Sequence, residues 1–265
     1  MSRFSGLLNP HKLGAGHQTL VLSHGFGSDQ SCWRHLLPWL TQHYQVVVYD
    51  LACAGTVADK AFDVRRHSAL EGYVEDLLRV LDGFEIDRCL FFGHSLSGMI
   101  GLLASIKQPQ RFQKLIMMGT SPRYLDDVDY IGGFNRATVN AIFDAIDANF
   151  RDWARNFAPV VVAGGIDDAA TLEFTETLIS MRPDIALATA RAVFLGDWRG
   201  RLAACSVPSV ILQSQHDHAV PRPAADYLHR HLDGSVLEVM GTEGHLPHLS
   251  DPHLVLDALR RYLPL

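Results

Sequence analysis

A serine, an acid and a histidine, arriving in that order along a chain of 265 residues, are the raw materials of an acyl-transfer catalyst. Ser95 lies in Gly93-His94-Ser95-Leu96-Ser97-Gly98, directly after the apolar run Cys89-Leu90-Phe91-Phe92 and directly before a helical pattern over residues 99–106. Strand, tight turn with an apical serine, then helix is the layout of a nucleophile elbow, whose turn strains the serine and lifts its Oγ clear of the sheet. Small residues at Gly93 and Ser97 let strand and helix approach, although the fifth position of the usual G-x-S-x-G pattern is here Ser97. That pattern is common by chance, so its context must carry the reading. A serine hydroxyl needs an adjacent base. Asp217 follows the apolar run 210–213, and His245 lies in Gly244-His245-Leu246-Pro247-His248, just after the run 236–239. Both therefore fall at carboxyl ends of predicted strands, on the edge that carries Ser95. Ser95, Asp217 and His245 are the candidate catalytic residues.

Each has rivals. His248 competes with His245 as base, but Gly244 suits a loop that presents a side chain, whereas His248 leads into the next helix. Asp233 reads as a turn residue before Gly234, and Asp251, before Pro252, as a helix N-cap. His216 and His218 read as solvated loop residues, and His94 as a packing residue of the elbow. No histidine–carboxylate cluster has metal-ligand spacing, so neither a metal nor another cofactor is expected. Two backbone amides should hold the oxyanion. One is that of Leu96, the residue after the nucleophile. The other is that of Phe26, in the loop His24-Gly25-Phe26-Gly27 after the first clear strand. The alternative for that loop is an ordinary glycine turn.

The elements that must position these groups alternate. Strand-like runs at Thr19–Ser23, Gln45–Tyr49, 89–92, 115–118, 210–213 and 236–239 are interleaved with helical spacing at 70–81, 99–106 and 254–262. Continuous apolar runs suit strands buried on both faces of a parallel sheet. The alternation predicts an α/β fold with a mostly parallel, doubly wound sheet. From 122 to 202 the rhythm stops. The spacing there predicts four helices (136–148, 150–157, 168–181 and 183–194), with Val160-Val161-Val162 the only strand candidate. A helical insertion of this kind reads as a lid (122–202) on a core of 1–121 and 203–265, covering the strand ends where ligands bind. A second helical layer with no pocket is the alternative. The insertion is rich in aromatics, so any cavity beneath it suits a compact, uncharged ester or lactone.

The formal net charge of −6 and pI near 6.1 argue against nucleic acid or an anionic membrane as partner. The apolar runs are too short to span a bilayer, and the first residues show no signal-peptide pattern. The four cysteines (Cys32, Cys53, Cys89, Cys205) are scattered, which reads as free thiols in a reducing compartment.

Several stretches resemble the plant strigolactone and karrikin receptor clade. They are Gly25-Phe26-Gly27-Ser28-Asp29-Gln30-Ser31-Cys32-Trp33, Leu70-Glu71-Gly72-Tyr73, the elbow with its Ser97, Ser121-Pro122-Arg123-Tyr124, Gly132-Gly133-Phe134, Met181-Arg182-Pro183-Asp184 and Gly244-His245-Leu246-Pro247-His248-Leu249-Ser250. The resemblance implies an α/β-hydrolase fold with a four-helix lid, used as a receptor that attacks a butenolide slowly with its triad serine. It places pocket aromatics at Phe26, Tyr124, Phe134, Trp153, Phe157, Phe174 and Phe194. It also implies an F-box protein and a repressor as partners, and cytoplasmic and nuclear localisation. Asp50-Leu51-Ala52-Cys53-Ala54-Gly55 leans toward the strigolactone branch. Leu96, Gly98 and Val57-Ala58-Asp59-Lys60 depart from the usual pattern. A bacterial stress-regulatory hydrolase, an ordinary carboxylesterase or lactonase, and a binding protein with an incidental triad are the competing readings.

Overall fold

Short β-branched runs separated by amphipathic helices bury their apolar faces best as a sheet with helices on both sides. A computed structural model describes residues 5–264. Among them seven strands form one sheet: β1 (His11–Leu13), β2 (Thr19–Ser23), β3 (Gln45–Tyr49), β4 (Cys89–His94), β5 (Phe112–Met118), β6 (Ser209–His216) and β7 (Val236–Glu243). The spatial order is β1-β3-β2-β4-β5-β6-β7, with β1 antiparallel to β3 and the other pairings parallel. β4 is buried along its whole length, as a strand covered on both faces must be. The helices are α1 (Leu37–His43), α2 (Leu70–Gly83), α3 (Leu96–Lys107), α4 (Arg136–Val162), α5 (Ala169–Ile179), α6 (Pro183–Leu195), α7 (Arg222–His231), α8 (Pro247–Ser250) and α9 (Pro252–Tyr262).

The sequence gives no hint of β1, because its three residues are all exposed and carry no apolar alternation. β6 and β7 outrun their apolar segments: His216 pairs with Glu243, and polar residues at strand ends give no periodic signal. This extension carries the backbone almost to Asp217 and His245.

Helices α4, α5 and α6 lie between β5 and β6 in the chain. α4 breaks at Asn149 (φ −157°, ψ 88°), so it has two limbs and the insertion has four helical pieces. Asn149 caps the second limb, its Oδ1 accepting the Asp152 N–H at 3.2 Å. The second limb passes through Pro159 and ends at Val162, so the valine run that reads as a strand candidate is a last helical turn. Val160 is exposed while Val161 and Val162 are buried, which is the one-sided burial of a helix. The two stems of the insertion are tied together: Trp198 N–H donates to Pro122 O at 2.9 Å, and Arg123 and Arg199 both pair with Asp197. Burial opposes ionisation of Asp197, but the two guanidinium groups outweigh it and hold its carboxyl at about 2.

Candidate active site

The turn between β4 and α3 puts Ser95 at φ 55°, ψ −121°, a strained conformation for a residue with a Cβ. Its neighbours over-determine it: Ser95 N–H donates to Met118 O at 2.8 Å, and the Thr120 hydroxyl donates to Ser95 O at 3.2 Å. Ser95 Oγ lies 2.8 Å from His245 Nε2, and His245 Nδ1 lies 2.7 Å from Asp217 Oδ2. A carboxylate only accepts, so Nδ1 carries the proton and Nε2 is free to accept from Ser95. Asp217 is fixed in turn, since its Oδ1 accepts the N–H groups of Ala219 (2.8 Å) and Val220 (3.0 Å). The three side chains, 28 and 150 residues apart along the two links, thus form one hydrogen-bonded line.

The loop that presents His245 is held from an unexpected side. His245 N–H donates to Val161 O, in the last turn of α4, at 2.6 Å, and Gly244 N–H donates to His216 O at 2.8 Å. Gly244 has φ +79°, and a Cβ there would stand 2.1 Å from Val162 O, so only glycine fits. One orphan carbonyl at the end of α4, that of Val161, therefore finds its partner in the histidine loop.

The rivals lie elsewhere. His248 is wholly buried in α8, its ring 4.6 Å from His94 and 5.0 Å from Trp33, with no partner for either nitrogen. Asp251 occupies the N-cap position of α9 but does not cap it; its Oδ2 accepts the Thr242 hydroxyl at 2.5 Å. Asp233 sits in the turn before β7. His216 and His218 are exposed, and His216 faces Glu243 at 2.8 Å. His94 is buried, with Nε2 donating to His245 O at 2.8 Å. Burial pushes His248 down to about 3 and His94 well below the usual histidine range. A histidine kept neutral in the fold favours the folded state fully above its unfolded pKa, and that stability drains away as pH falls from there toward the folded value. At pH 5 the buried neutral ring of His248 costs about 2 kcal/mol of folding stability. The melting temperature should therefore drop between pH 7 and pH 5, and His248→Phe should flatten that slope. Equal slopes in both proteins would show that His248 titrates normally.

A narrow apolar cavity opens on Ser95 and His245, walled by Phe26, Tyr124, Phe157, Val161, Phe174, Val193, Phe194 and Ala219. Five of the seven expected aromatics line it. Phe134 and Trp153 lie behind the wall instead: Phe134 packs on Phe194 at 5.2 Å, and Trp153 stacks on Phe157 at 4.8 Å. Helical aromatics at this density support one another in two layers, and sequence spacing does not separate the layers. Val161, Val193 and Ala219 carry no signal in the sequence that would single them out from ordinary core. Nor does the sequence reveal that Tyr124 OH stands 3.2 Å from Ser95 Oγ. Because Ser95 donates to His245, the phenol donates to Ser95, and burial raises its pKa so that it keeps its proton. Leu96 is the first residue of α3, where an N–H has no intrahelical acceptor. Phe26 stands in the turn after β2, and a Cβ on the preceding Gly25 would meet His94 Nδ1 at 2.6 Å and Ser95 Cβ at 3.2 Å. The Phe26 loop therefore abuts the elbow.

A model of the alpha/beta hydrolase family matches residues 20–258. The chain belongs to that family. This α/β-hydrolase is 47% identical to karrikin insensitive 2 receptor CA of Petunia hybrida, over 95% of this chain and 93% of that protein. It is also 47% identical to strigolactone esterase D14 of Arabidopsis thaliana, over 97% of this chain and 96% of that protein. Equal identity to the two does not separate the branches. Among solved structures, the α/β-hydrolase resembles the hydrolase olei00960 from Oleispira antarctica with a TM-score of 0.93 and 30% identity, over 98% of this chain and 96% of that one.

Proposed function

We propose that this α/β-hydrolase captures a small butenolide beneath its helical insertion and opens it slowly through Ser95. Ser95 Oγ adds to the lactone carbonyl while His245 Nε2 takes its proton. The same imidazole returns that proton to the departing ring oxygen, Asp217 orients it, and the amides of Phe26 and Leu96 receive the oxyanion. One observation carries the reading: the serine end of the hydrogen-bonded line faces a cavity whose roof is α4, α5 and α6. The apolar walls suit an uncharged ligand. The cavity is narrow, so a ligand of several rings must part the walls as it enters. That requirement supports a lid (122–202) that moves against the core (1–121 and 203–265), and slow turnover with it. The finer parts of the reading rest on the receptor-like motifs: recruitment of an F-box protein and a repressor, and work in cytoplasm and nucleus. No helix among the described residues is long and apolar enough to cross a membrane.

Intact mass, melting temperature and turnover, measured with a panel of butenolides and with p-nitrophenyl acetate, test the proposal. A mass adduct or thermal shift together with turnover below about 1 s⁻¹ fits it, whereas typical enzymes run near about 10 s⁻¹. Fast turnover of the simple ester, with no adduct and no shift, would make the protein an ordinary metabolic carboxylesterase. Phe194 touches Tyr124 at 5.4 Å and Phe134 at 5.2 Å, and so sets the cavity's width. Phe194→Ala should raise kcat/KM for bulky esters several-fold relative to acetate, at a lower melting temperature. An unchanged ratio would mean that Phe194 does not limit entry.

A further inference from the structure

The elbow's departure from the usual pattern has specific partners. Ser97 Oγ donates to the main-chain carbonyl of His24 at 2.5 Å and lies 2.8 Å from Ser23 Oγ, which in turn lies 2.8 Å from Tyr49 OH. All four residues are completely buried. A carbonyl only accepts, so the single Ser97 proton is committed to His24. Ser23 must then donate to Ser97, and Tyr49 to Ser23. Burial raises the Tyr49 pKa, so the phenol keeps its proton. The result is a one-directional file of three hydroxyls running from β3, through the end of β2, to the first turn of α3. Such files strengthen each member by polarisation.

We infer that Ser97 is a positioning residue for the oxyanion hole. The inference rests on the serine-hydrolase reading above. The hole draws its two amides from separate segments, Leu96 at the start of α3 and Phe26 in the loop after β2. Gly25 against His94 and Ser95 sets how closely the segments can approach. Something must also stop them drifting apart. Other contacts hold the loop to different neighbours: Leu51 N–H donates to His24 Nε2 at 2.9 Å, and the Thr177 hydroxyl donates to Gly27 O at 2.8 Å. The Ser97 hydroxyl reaches from the residue beside Leu96 to the residue two before Phe26. A glycine at this place supplies no donor, so the extra hydroxyl fixes the spacing of the two amides.

The test pairs turnover of p-nitrophenyl acetate with binding of phenylboronic acid, whose tetrahedral adduct on Ser95 puts an oxygen in the hole. In Ser97→Ala and Ser97→Gly, kcat should fall about 10- to 100-fold and boronate affinity by a similar factor, with KM within about twofold of the parent. The midpoint of the pH–rate profile should not move, because the imidazole is untouched. Tyr49→Phe removes the far end of the file and should cause a smaller loss in the same direction. Parent-level kcat and boronate affinity in Ser97→Ala would overturn the inference. So would a fall in kcat with boronate affinity intact, which marks a role outside the hole. If Ser97→Ala does not fold, Tyr49→Phe decides, and parent-level values there overturn it. Ser95→Ala is run alongside: if it stays active, the hydrolase reading itself fails, whereas an inactive Ser95→Ala beside a fully active Ser97→Ala sinks the positioning role alone.

Discussion

Ser95→Ala should lose hydrolysis of a butenolide probe by about 10³-fold or more and should form no covalent adduct. The expected loss is large because members of a triad act as a unit, and the remaining groups have nothing to activate. The same variant should still shift its melting temperature with ligand, since the cavity walls are contributed by other residues, Phe26, Tyr124, Phe157, Phe174 and Phe194 among them. Removing Oγ takes away one partner each from His245 Nε2 and Tyr124 OH, both of which face the cavity where water can replace it. Capture and chemistry are thereby separated in one protein. Hydrolysis at the parent rate in Ser95→Ala would discard the mechanism, and loss of the thermal shift would mean that binding requires the covalent bond.

Gly244→Ala should be nearly as damaging, although it adds only a methyl group. The new carbon would sit 2.1 Å from Val162 O on a backbone at φ +79°, so either α4 or the histidine loop must move. A displacement of about 1 Å at a catalytic group is enough for a loss on the order of 10²-fold in kcat. The strained backbone costs about 1–3 kcal/mol in addition. The comparison is Gly241→Ala, three residues upstream in β7, where an added methyl meets nothing within 4 Å. Thermal melts and p-nitrophenyl acetate kinetics on the pair should leave Gly241→Ala near the parent while Gly244→Ala falls in both. Parent-like kinetics in Gly244→Ala would show that the end of α4 can yield without disturbing His245.

What the sequence makes legible divides along physical lines. The central strands announce themselves because burial on both faces demands unbroken apolar runs, as in β3 and β4. β1 does not, since an exposed edge strand of His, Lys and Leu needs no such run. The break in α4 is visible because Asn149 competes with the helix for backbone donors. Its continuation past Pro159 is not, because valines suit strand and helix end equally. The chain order Ser95, Asp217, His245 is readable because each follows a strand on the same edge of a parallel sheet. Which aromatics face the cavity is not readable, since Phe134 and Trp153 share composition and spacing with residues that do. Contacts between distant backbone atoms, such as His245 with Val161, leave no trace in residue type apart from the glycine that permits them.

That last bond also bears on which molecules the protein can choose. The imidazole is aimed partly by a carbonyl that belongs to the roof of its own cavity. If the insertion moves as proposed, aim and enclosure would be lost together as the roof swung away, so an ester entering the opened site would meet a base out of register. Only a guest small and well shaped enough for the roof to settle over it restores the alignment that cuts it. Selection then depends less on how reactive a carbonyl is than on whether its owner can be shut in.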